Sequence, residues 1–222
     1  MNISDDPAVC VAYPVTVIDN FFDDPDAIVD LAERSDWYDT VDGNWPGKRT
    51  NSLWDINQEI YKKFGNRIHR VYHDTPPEYW ELQAHFQKIK PFPNDKRNQG
   101  WIHTDGTWFG GIIYLTKDPS PNSGTSIYNA HKVSSYEVTK NYKEMLYRGE
   151  DVDIDDYNEA WDAMREQYTK TVTVENIYNR FVLFSGQTFH GVETFGTKPR
   201  LTINFFGRNS TLTPPLMRYE TK

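Results

Sequence analysis

Residues 101–108, WIHTDGTW, place a histidine and an aspartate two positions apart, at His103 and Asp105. On a β-strand, side chains two positions apart point to the same face, as two ligands of one ion must. Taken alone, the H-x-D triplet is weak, because it often arises by chance from a surface histidine beside a turn aspartate. A second stretch is needed to decide between these two interpretations.

That second stretch is Phe184–Arg200, FSGQTFHGVETFGTKPR. His190 follows a strand-like run and a Ser-Gly turn, and Arg200 opens the last strong strand-like run. Two histidines and one carboxylate form a facial triad, which leaves coordination positions open and is typical of non-haem iron oxygenases. An arginine on a strand is rarely buried unless it is paired, and its planar fork suits a carboxylate.

The surrounding sequence predicts a mainly β protein with flanking helices. From Tyr79 onward, short aromatic and β-branched runs are divided by glycine, proline, asparagine and serine, which is typical of a sandwich, barrel or jelly roll. The runs that we interpret as strands are Glu81–Lys90, Gly110–Thr116, Gly124–Asn129, Thr171–Tyr178, Arg180–Phe184 and Arg200–Gly207.

The chain has 222 residues, and we expect a single domain. Residues 1–78 form an N-terminal extension, in which Val15–Phe22 is strand-like and Pro25–Arg34 and Gln58–His69 are helical in pattern. Residues 79–207 form the β core.

Gly43–Thr50, GNWPGKRT, is predicted to be a loop that carries an aromatic residue and a cation, Trp45 and Arg49. These two residues could contact a substrate, but helix capping or an ordinary ion pair explains their presence equally well.

Residues 131–170 interrupt the strands and are interpreted as an insertion, with a helix over Tyr157–Tyr168. Between Glu150 and Glu166 there are eight acids and one base, Arg165. We expect the insertion to cover the open end of the β core. Its acids either steer a cationic substrate towards the site or form a solvated helix face.

Composition excludes several function classes. The net charge is −8, and no stripe of lysine and arginine suggests nucleic acid as a partner. No apolar run approaches the roughly 20 residues that span a bilayer, and the acidic N-terminus is unlike a secretory signal. The single cysteine, Cys10, excludes an internal disulfide. We therefore expect a cytoplasmic protein with no membrane partner.

His103-Thr104-Asp105, His190 and Arg200 together match the H-x-D…H…R/K pattern. The sequence here resembles the 2-oxoglutarate/Fe(II)-dependent dioxygenase superfamily, and most closely its prolyl-4-hydroxylase-like branch. The N-terminal VIDNFFDDPDAI also looks like a group of uncharacterised bacterial and phage oxygenases of this superfamily.

The resemblance implies a double-stranded β-helix, the jelly-roll or cupin-like core. It implies that His103, Asp105 and His190 bind Fe(II) and are the catalytic residues. It further implies that Arg200, Thr202 and Tyr114 hold the 5-carboxylate of 2-oxoglutarate, the co-substrate that reacts with O2 to give succinate and CO2. Relatives that halogenate lack the carboxylate ligand, so Asp105 favours hydroxylation.

The substrate expected from the resemblance is an amino-acid or peptidyl side chain, or another small molecule. Two alternatives stay open at this point. One is a cupin-type enzyme that uses the same ligands with Zn(II) or Mn(II) but no 2-oxoglutarate, which leaves Arg200 and Thr202 unexplained. The other is a non-catalytic jelly-roll binding module.

Overall fold

A computed structural model describes residues 9–12, 15–72, 81–93, 95–131, 137–208 and 217–220. Within them lie five helices: α1 (Pro25–Glu33), α2 (Leu53–Ile56), α3 (Gln58–Tyr72), α4 (Glu137–Arg148) and α5 (Ile154–Arg165). The strands of this part of the chain are β1 (Val9–Ala12), β2 (Thr16–Ile18), β3 (Tyr38–Asp39), β4 (Lys48–Arg49), β5 (Glu81–Ile89), β6 (Phe109–Tyr114), β7 (Thr125–Ala130), β8 (Tyr168–Val174), β9 (Phe181–Ser185), β10 (Phe189–Val192), β11 (Arg200–Arg208) and β12 (Met217–Glu220).

Two antiparallel sheets form the core. The major sheet has seven strands in the order β2-β9-β6-β11-β5-β4-β3, and the minor sheet has three in the order β10-β7-β8. Apolar side chains of both sheets form a cluster that includes Ile112, Tyr114, Ile127 and Val182. The two sheets therefore enclose a common interior, as the predicted jelly roll requires.

The opposite face of the major sheet is covered by α1 and α3. Alternation along β11 sends Ile203 and Phe205 to this face, where they join Phe64 and Ile68 of α3 in the largest buried cluster. Phe205 stacks on Phe181 with ring centroids 5.2 Å apart. The helical layer thus leaves the interior between the sheets free for a site.

The N-terminal segment contributes to the major sheet itself. β2 pairs with β9, and β4 pairs with β5 through Arg49 and Gln87. The segment Gly43–Thr50 was predicted to be a loop throughout, and this is wrong at β4, where backbone pairing at the sheet edge overrides the turn-forming residues. The predicted boundary at residues 78 and 79 lies outside the described residues, and the division of the chain stays a prediction.

The insertion contains two helices rather than the one predicted. Tyr157, Trp161 and Met164 of α5 pack with Trp101 and other apolar residues in a separate cluster. The helix predicted over Tyr157–Tyr168 begins earlier, at Ile154, because Asp153 caps it, and ends at Arg165, because Tyr168 already pairs in β8. No helix in the described ranges has the length and apolarity to cross a membrane.

Candidate metal centre

His103, Asp105 and His190 come together between the two sheets. His103 and His190 face each other across an isolated antiparallel bridge, and each backbone N–H donates to the other's carbonyl, at 3.0 and 2.9 Å. Asp105 is held by its own N–H, which donates to the carbonyl of Gly186 at 2.9 Å. The prediction that the H-x-D pair lies on a strand is wrong, because pairing stops at His103 and Asp105 lies in an irregular segment.

The hydrogen bonds of the two imidazoles orient them towards a shared point. Nδ1 of His103 lies 2.9 Å from the carbonyl of Trp101, and Nδ1 of His190 lies 2.9 Å from that of Thr188. A carbonyl only accepts, so each Nδ1 must carry a proton, and in a neutral imidazole this leaves Nε2 as the metal-binding atom. These Nε2 atoms each lie 3.6 Å from a different oxygen of Asp105.

The three ligand atoms lie within 4.8 Å of one another, and they fit a divalent metal. Burial lowers the pKa of His103 well below its ordinary value, and the nearby charge of Lys143 lowers it further. His103 is therefore neutral at neutral pH, the form that binds metal. Two imidazoles and one carboxylate grouped on one side of an ion are the set used by non-haem iron enzymes.

Two neighbours restrict the position of these ligands. A Cβ on Gly110 of β6 would lie 2.3 Å from Oδ2 of Asp105, so the carboxylate occupies the space of the missing side chain. The ring of Phe184 lies against the imidazole of His190, with centroids 4.3 Å apart. Sequence reasoning missed Gly110, since a glycine in a GG pair on a strand carries no signal of what opposes it.

Arg200 lies on β11 in the same interior and is only 3% exposed. Its Nε donates to the carbonyl of Ser123 at 3.2 Å, and its Cζ lies 5.3 Å from the centre of the Tyr114 ring. Among the described residues, its Nη2 has no hydrogen-bond partner, and no carboxylate forms an ion pair with it. A buried charge in this state is costly until an anion pairs with it.

Tyr114 and Thr202 are cross-strand partners next to Arg200. The Tyr114 hydroxyl donates to Oγ1 of Thr125 at 2.9 Å, and the Thr202 hydroxyl donates to Oδ1 of Asn204 at 2.7 Å. Burial raises the pKa of Tyr114, so its hydroxyl stays protonated. Thr125 lines the cavity, and sequence reasoning assigned it no role. The functional roles predicted for Tyr114 and Thr202 stay predictions.

One cavity of about 730 Å³ lies beside these groups, and neither Tyr114 nor Thr202 is among its lining residues. The metal-ligand triad and Arg200 line it together, and so does Arg49 of β4. Its wall also includes Lys143 and Tyr147 of α4, so the insertion borders the site. A volume of this size is typical of small-molecule sites.

The acids of the insertion have another role. Asp153 caps α5, and its side chain accepts hydrogen bonds from the backbone N–H groups of Asp155 and Asp156, at 2.9 and 3.1 Å. None of these three acids lines the cavity. The structure therefore favours the capping and solvated-helix interpretation over steering of a cation.

Solved structures of similar fold support the architecture. HygX from Streptomyces hygroscopicus, with nickel and 2-oxoglutarate bound, is 15% identical over 91% of this chain and 85% of its own, with a TM-score of 0.58. The non-haem α-ketoglutarate-dependent epimerase SnoN from nogalamycin biosynthesis is 14% identical over 88% and 78%, with a TM-score of 0.55.

A prolyl-4-hydroxylase from Pseudomonas putida is 13% identical over 89% of this chain and 93% of its own, with a TM-score of 0.51. At these identities the likeness concerns the fold alone, and it confirms the predicted jelly roll. No curated protein matches the sequence. A family model matches residues 7–206, which is most of the chain, and the protein therefore belongs to DUF6445, a family of unknown function.

Proposed function

We propose that this protein is an Fe(II)- and 2-oxoglutarate-dependent dioxygenase. The observation that carries the proposal is the combination, in one cavity, of a His-Asp-His cluster and a buried arginine without an anionic partner. A metal site alone is equally compatible with a Zn(II) or Mn(II) enzyme. Arg200 separates the two, because it supplies the charge that a dicarboxylate co-substrate needs beside the metal.

Each residue has a role in this proposal. His103, Asp105 and His190 hold Fe(II), with Nε2 of each histidine as the ligand atom. Arg200 pairs with the 5-carboxylate of 2-oxoglutarate, and the hydroxyls of Tyr114 and Thr202 are proposed to contact that carboxylate once they turn from Thr125 and Asn204. With O2, the bound iron and 2-oxoglutarate supply the oxidising power for attack on a C–H bond, releasing succinate and CO2.

The buried setting contributes in two ways. Phe184 packs against His190 beside the apolar interior between the sheets, and charge pairing next to this apolar wall is screened less than in bulk water. The backbone bridge between His103 and His190 fixes the distance between the two residues, so their imidazoles start from defined positions. The residues thus orient the reactants before reaction.

Hydroxylation is the proposed outcome for substrate. Asp105 lies against both histidines and fills the position that a halide takes in halogenating relatives, which lack this carboxylate. The substrate is proposed to be an amino-acid or peptidyl side chain, or another small molecule. The fold neighbours are compatible with this range, since one is a prolyl-4-hydroxylase and HygX has also been crystallised with hygromycin B.

An anaerobic titration tests the proposal. Fe(II) and then 2-oxoglutarate are added to the protein, and a weak visible charge-transfer band is expected when both are present. His190→Ala should lose the band and metal binding, whereas His131→Ala should keep both, because His131 is exposed and bonded to the Glu166 carbonyl. A wild-type protein that binds Fe(II) but gives no band, and releases no succinate after O2 is admitted, would exclude the proposal.

A further inference from the structure

Arg49 is a second cation in the wall of the same cavity, and nothing in the proposed reaction uses it. It lies on β4, opposite Gln87 of β5. Its Nε and Nη2 both donate to Oε1 of Gln87, at 3.2 and 3.1 Å. A guanidinium has five N–H donors, so this contact leaves most of them available.

The position of Arg49 is fixed from several sides. The Trp45 ring covers one face of the guanidinium, with its centre 4.6 Å from Cζ. Gln87 is itself held, since its Nε2 donates to the carbonyl of Pro46 at 2.7 Å and its Oε1 accepts from Asn204 at 2.7 Å. A cation that is stacked and hydrogen-bonded in this way is preorganised to hold a ligand.

Arg49 has no ion-pair partner among the described residues. Asp105 and Asp42 are the acids close enough to act on its charge, and burial outweighs them, lowering the pKa of Arg49 to about 10. The side chain nevertheless remains charged at neutral pH. Trp45 gives a second sign of an incomplete contact, because its Nε1 is buried and has no hydrogen-bond partner in the described part of the chain.

When the metal and 2-oxoglutarate are bound as proposed, the positive charge of Arg49 still has no counter-charge within the described ranges. Asp105 is neutralised by the metal, and Arg200 is neutralised by 2-oxoglutarate. Lys143 of α4 also lines the cavity and is close enough to lower the pKa of His103. The other acid of the lining, Asp39, is paired with Lys48 at 3.0 Å, so Arg49 remains as a positive charge in the wall of the part of the cavity left for the primary substrate.

The loop that carries Trp45 is held against the insertion. A Cβ on Gly43 would lie 2.3 Å from the carbonyl oxygen of Glu144 in α4, and Arg148 donates to the carbonyl of Asp42 at 3.2 Å. Trp45 and Lys143 thus belong to two segments in direct contact. The contact between them holds the loop that stacks on Arg49 in place at the wall of the cavity.

We infer that Arg49, stacked on Trp45 and held by Gln87, binds an anionic group of the primary substrate, a carboxylate or a phosphate. This inference rests on the proposed function and names the class of substrate, a small organic anion. It opposes one of the two interpretations of the acidic insertion, that its acids steer a cationic substrate towards the site. Arg49 is on this view a residue that determines specificity.

A binding experiment with matched probes tests the inference without turnover. The protein is loaded with Ni(II) and 2-oxoglutarate, and its melting temperature is measured with millimolar benzoate, phenyl phosphate, benzamide or benzylammonium. The common ring supplies apolar surface for Tyr38 and Val41, which line the cavity. Benzoate or phenyl phosphate should raise the melting temperature, and the one with the larger effect indicates whether the site prefers a carboxylate or a phosphate. Benzamide, which is neutral, and benzylammonium, which is cationic, should not raise it.

Variants connect the effect to Arg49. Arg49→Met should weaken binding of the favoured anion about thirty-fold or more, the low end for truncating one partner of a buried charge pair. Arg49→Lys should retain part of the affinity, because it keeps the charge but not the fork. Arg34→Met changes the net charge equally at an exposed position on the helical side, and should bind like the wild type.

The outcomes separate the two proposals. If neither anion stabilises the wild-type protein, if benzylammonium or benzamide stabilises it as well, or if Arg49→Met and Arg49→Lys both bind the anion normally, the inference is overturned. In each of those cases the stabilisation by 2-oxoglutarate itself can still be present, and the proposed function then stands. If 2-oxoglutarate gives no stabilisation even with metal, the proposed function fails first.

Discussion

Arg200→Met is expected to abolish the stabilisation that 2-oxoglutarate gives to the metal-loaded protein. The wild-type side chain is 3% exposed and its Nη2 has no partner among the described residues, so a bound carboxylate would satisfy a buried charge. Truncating one side of such a pair costs about 3–5 kcal/mol, because the other charge is left unpaired. That corresponds to roughly two to four decades in affinity.

The assay is thermal melting of the Ni(II)-loaded protein with and without 2-oxoglutarate. At a concentration about 100 times its Kd, a ligand stabilises the folded state by about 2.7 kcal/mol. For a domain of this size each kcal/mol is worth about 2–4 °C, so the wild type should gain about 5–10 °C. At the same concentration the variant should gain less than about 2 °C, since its Kd is then at or above that concentration.

Two comparisons exclude a general loss of structure. Without 2-oxoglutarate, Arg200→Met should melt near the wild-type temperature, because relief of an unpaired buried charge offsets the lost bond to Ser123. Arg67→Met, on α3 and paired with Asp23 at 3.3 Å, should keep the full 2-oxoglutarate shift. If Arg200→Met retains more than half of that shift while melting normally, Arg200 is not the carboxylate partner.

Three further perturbations test other parts of the structure. Gly110→Ala should weaken metal binding about 10–100-fold in an anaerobic titration, because its Cβ displaces the Asp105 carboxylate; unchanged affinity would contradict the 2.3 Å approach. Asp153→Ala should lower the free energy of unfolding in urea by about 0.5–2 kcal/mol through loss of the α5 cap; an effect on kcat/KM that disappears in high salt would instead favour steering. The hydrogen bond from Arg180 lowers the pKa of Asp19 in the folded state, so the stabilisation is present above the unfolded value of about 3.9 and is lost as pH falls. Asp19→Asn should therefore be less stable than wild type in urea at pH 7 and nearly equal at pH 2, and an equal deficit at both would show that the charge is not involved.

Much of the core was predictable because it depends on local patterns. The alternation in Glu81–Lys90 and Arg200–Gly207 predicts that alternate side chains point to opposite faces of the sheet. In the structure one face is the helix-covered core and the other is the interior between the sheets. These two strands pair along their whole length in the structure. The identities of His103, Asp105, His190 and Arg200 were likewise visible, since their residue types already suit a metal and a carboxylate.

The element that carries the aspartate was not predictable in the same way. A strand explains side chains two apart on one face, but the structure reaches the same result with an isolated bridge at His103 and an irregular turn beyond it. The space for the carboxylate comes from Gly110, on a strand that approaches only after folding. The spacing of residues along the chain shows which residues are sequence neighbours. It does not show which residues of other strands will pack against them.

The charge of the cavity is a second property that the sequence did not predict and the tertiary structure decided. From the sequence, the acids of 150–166 looked like the dominant charge near the site, and Arg49 was one cation in a proline- and glycine-rich loop. In the structure the Asp153 side chain accepts from the first backbone N–H groups of α5, while Arg49 reaches the cavity because β4 pairs with β5 at the sheet edge. The sequence by itself determined the fold class and the ligand types, because hydrophobic periodicity and residue chemistry are local properties. Which charges face the cavity was decided by long-range strand pairing, which sets the direction of each side chain independently of how many charges a segment contains.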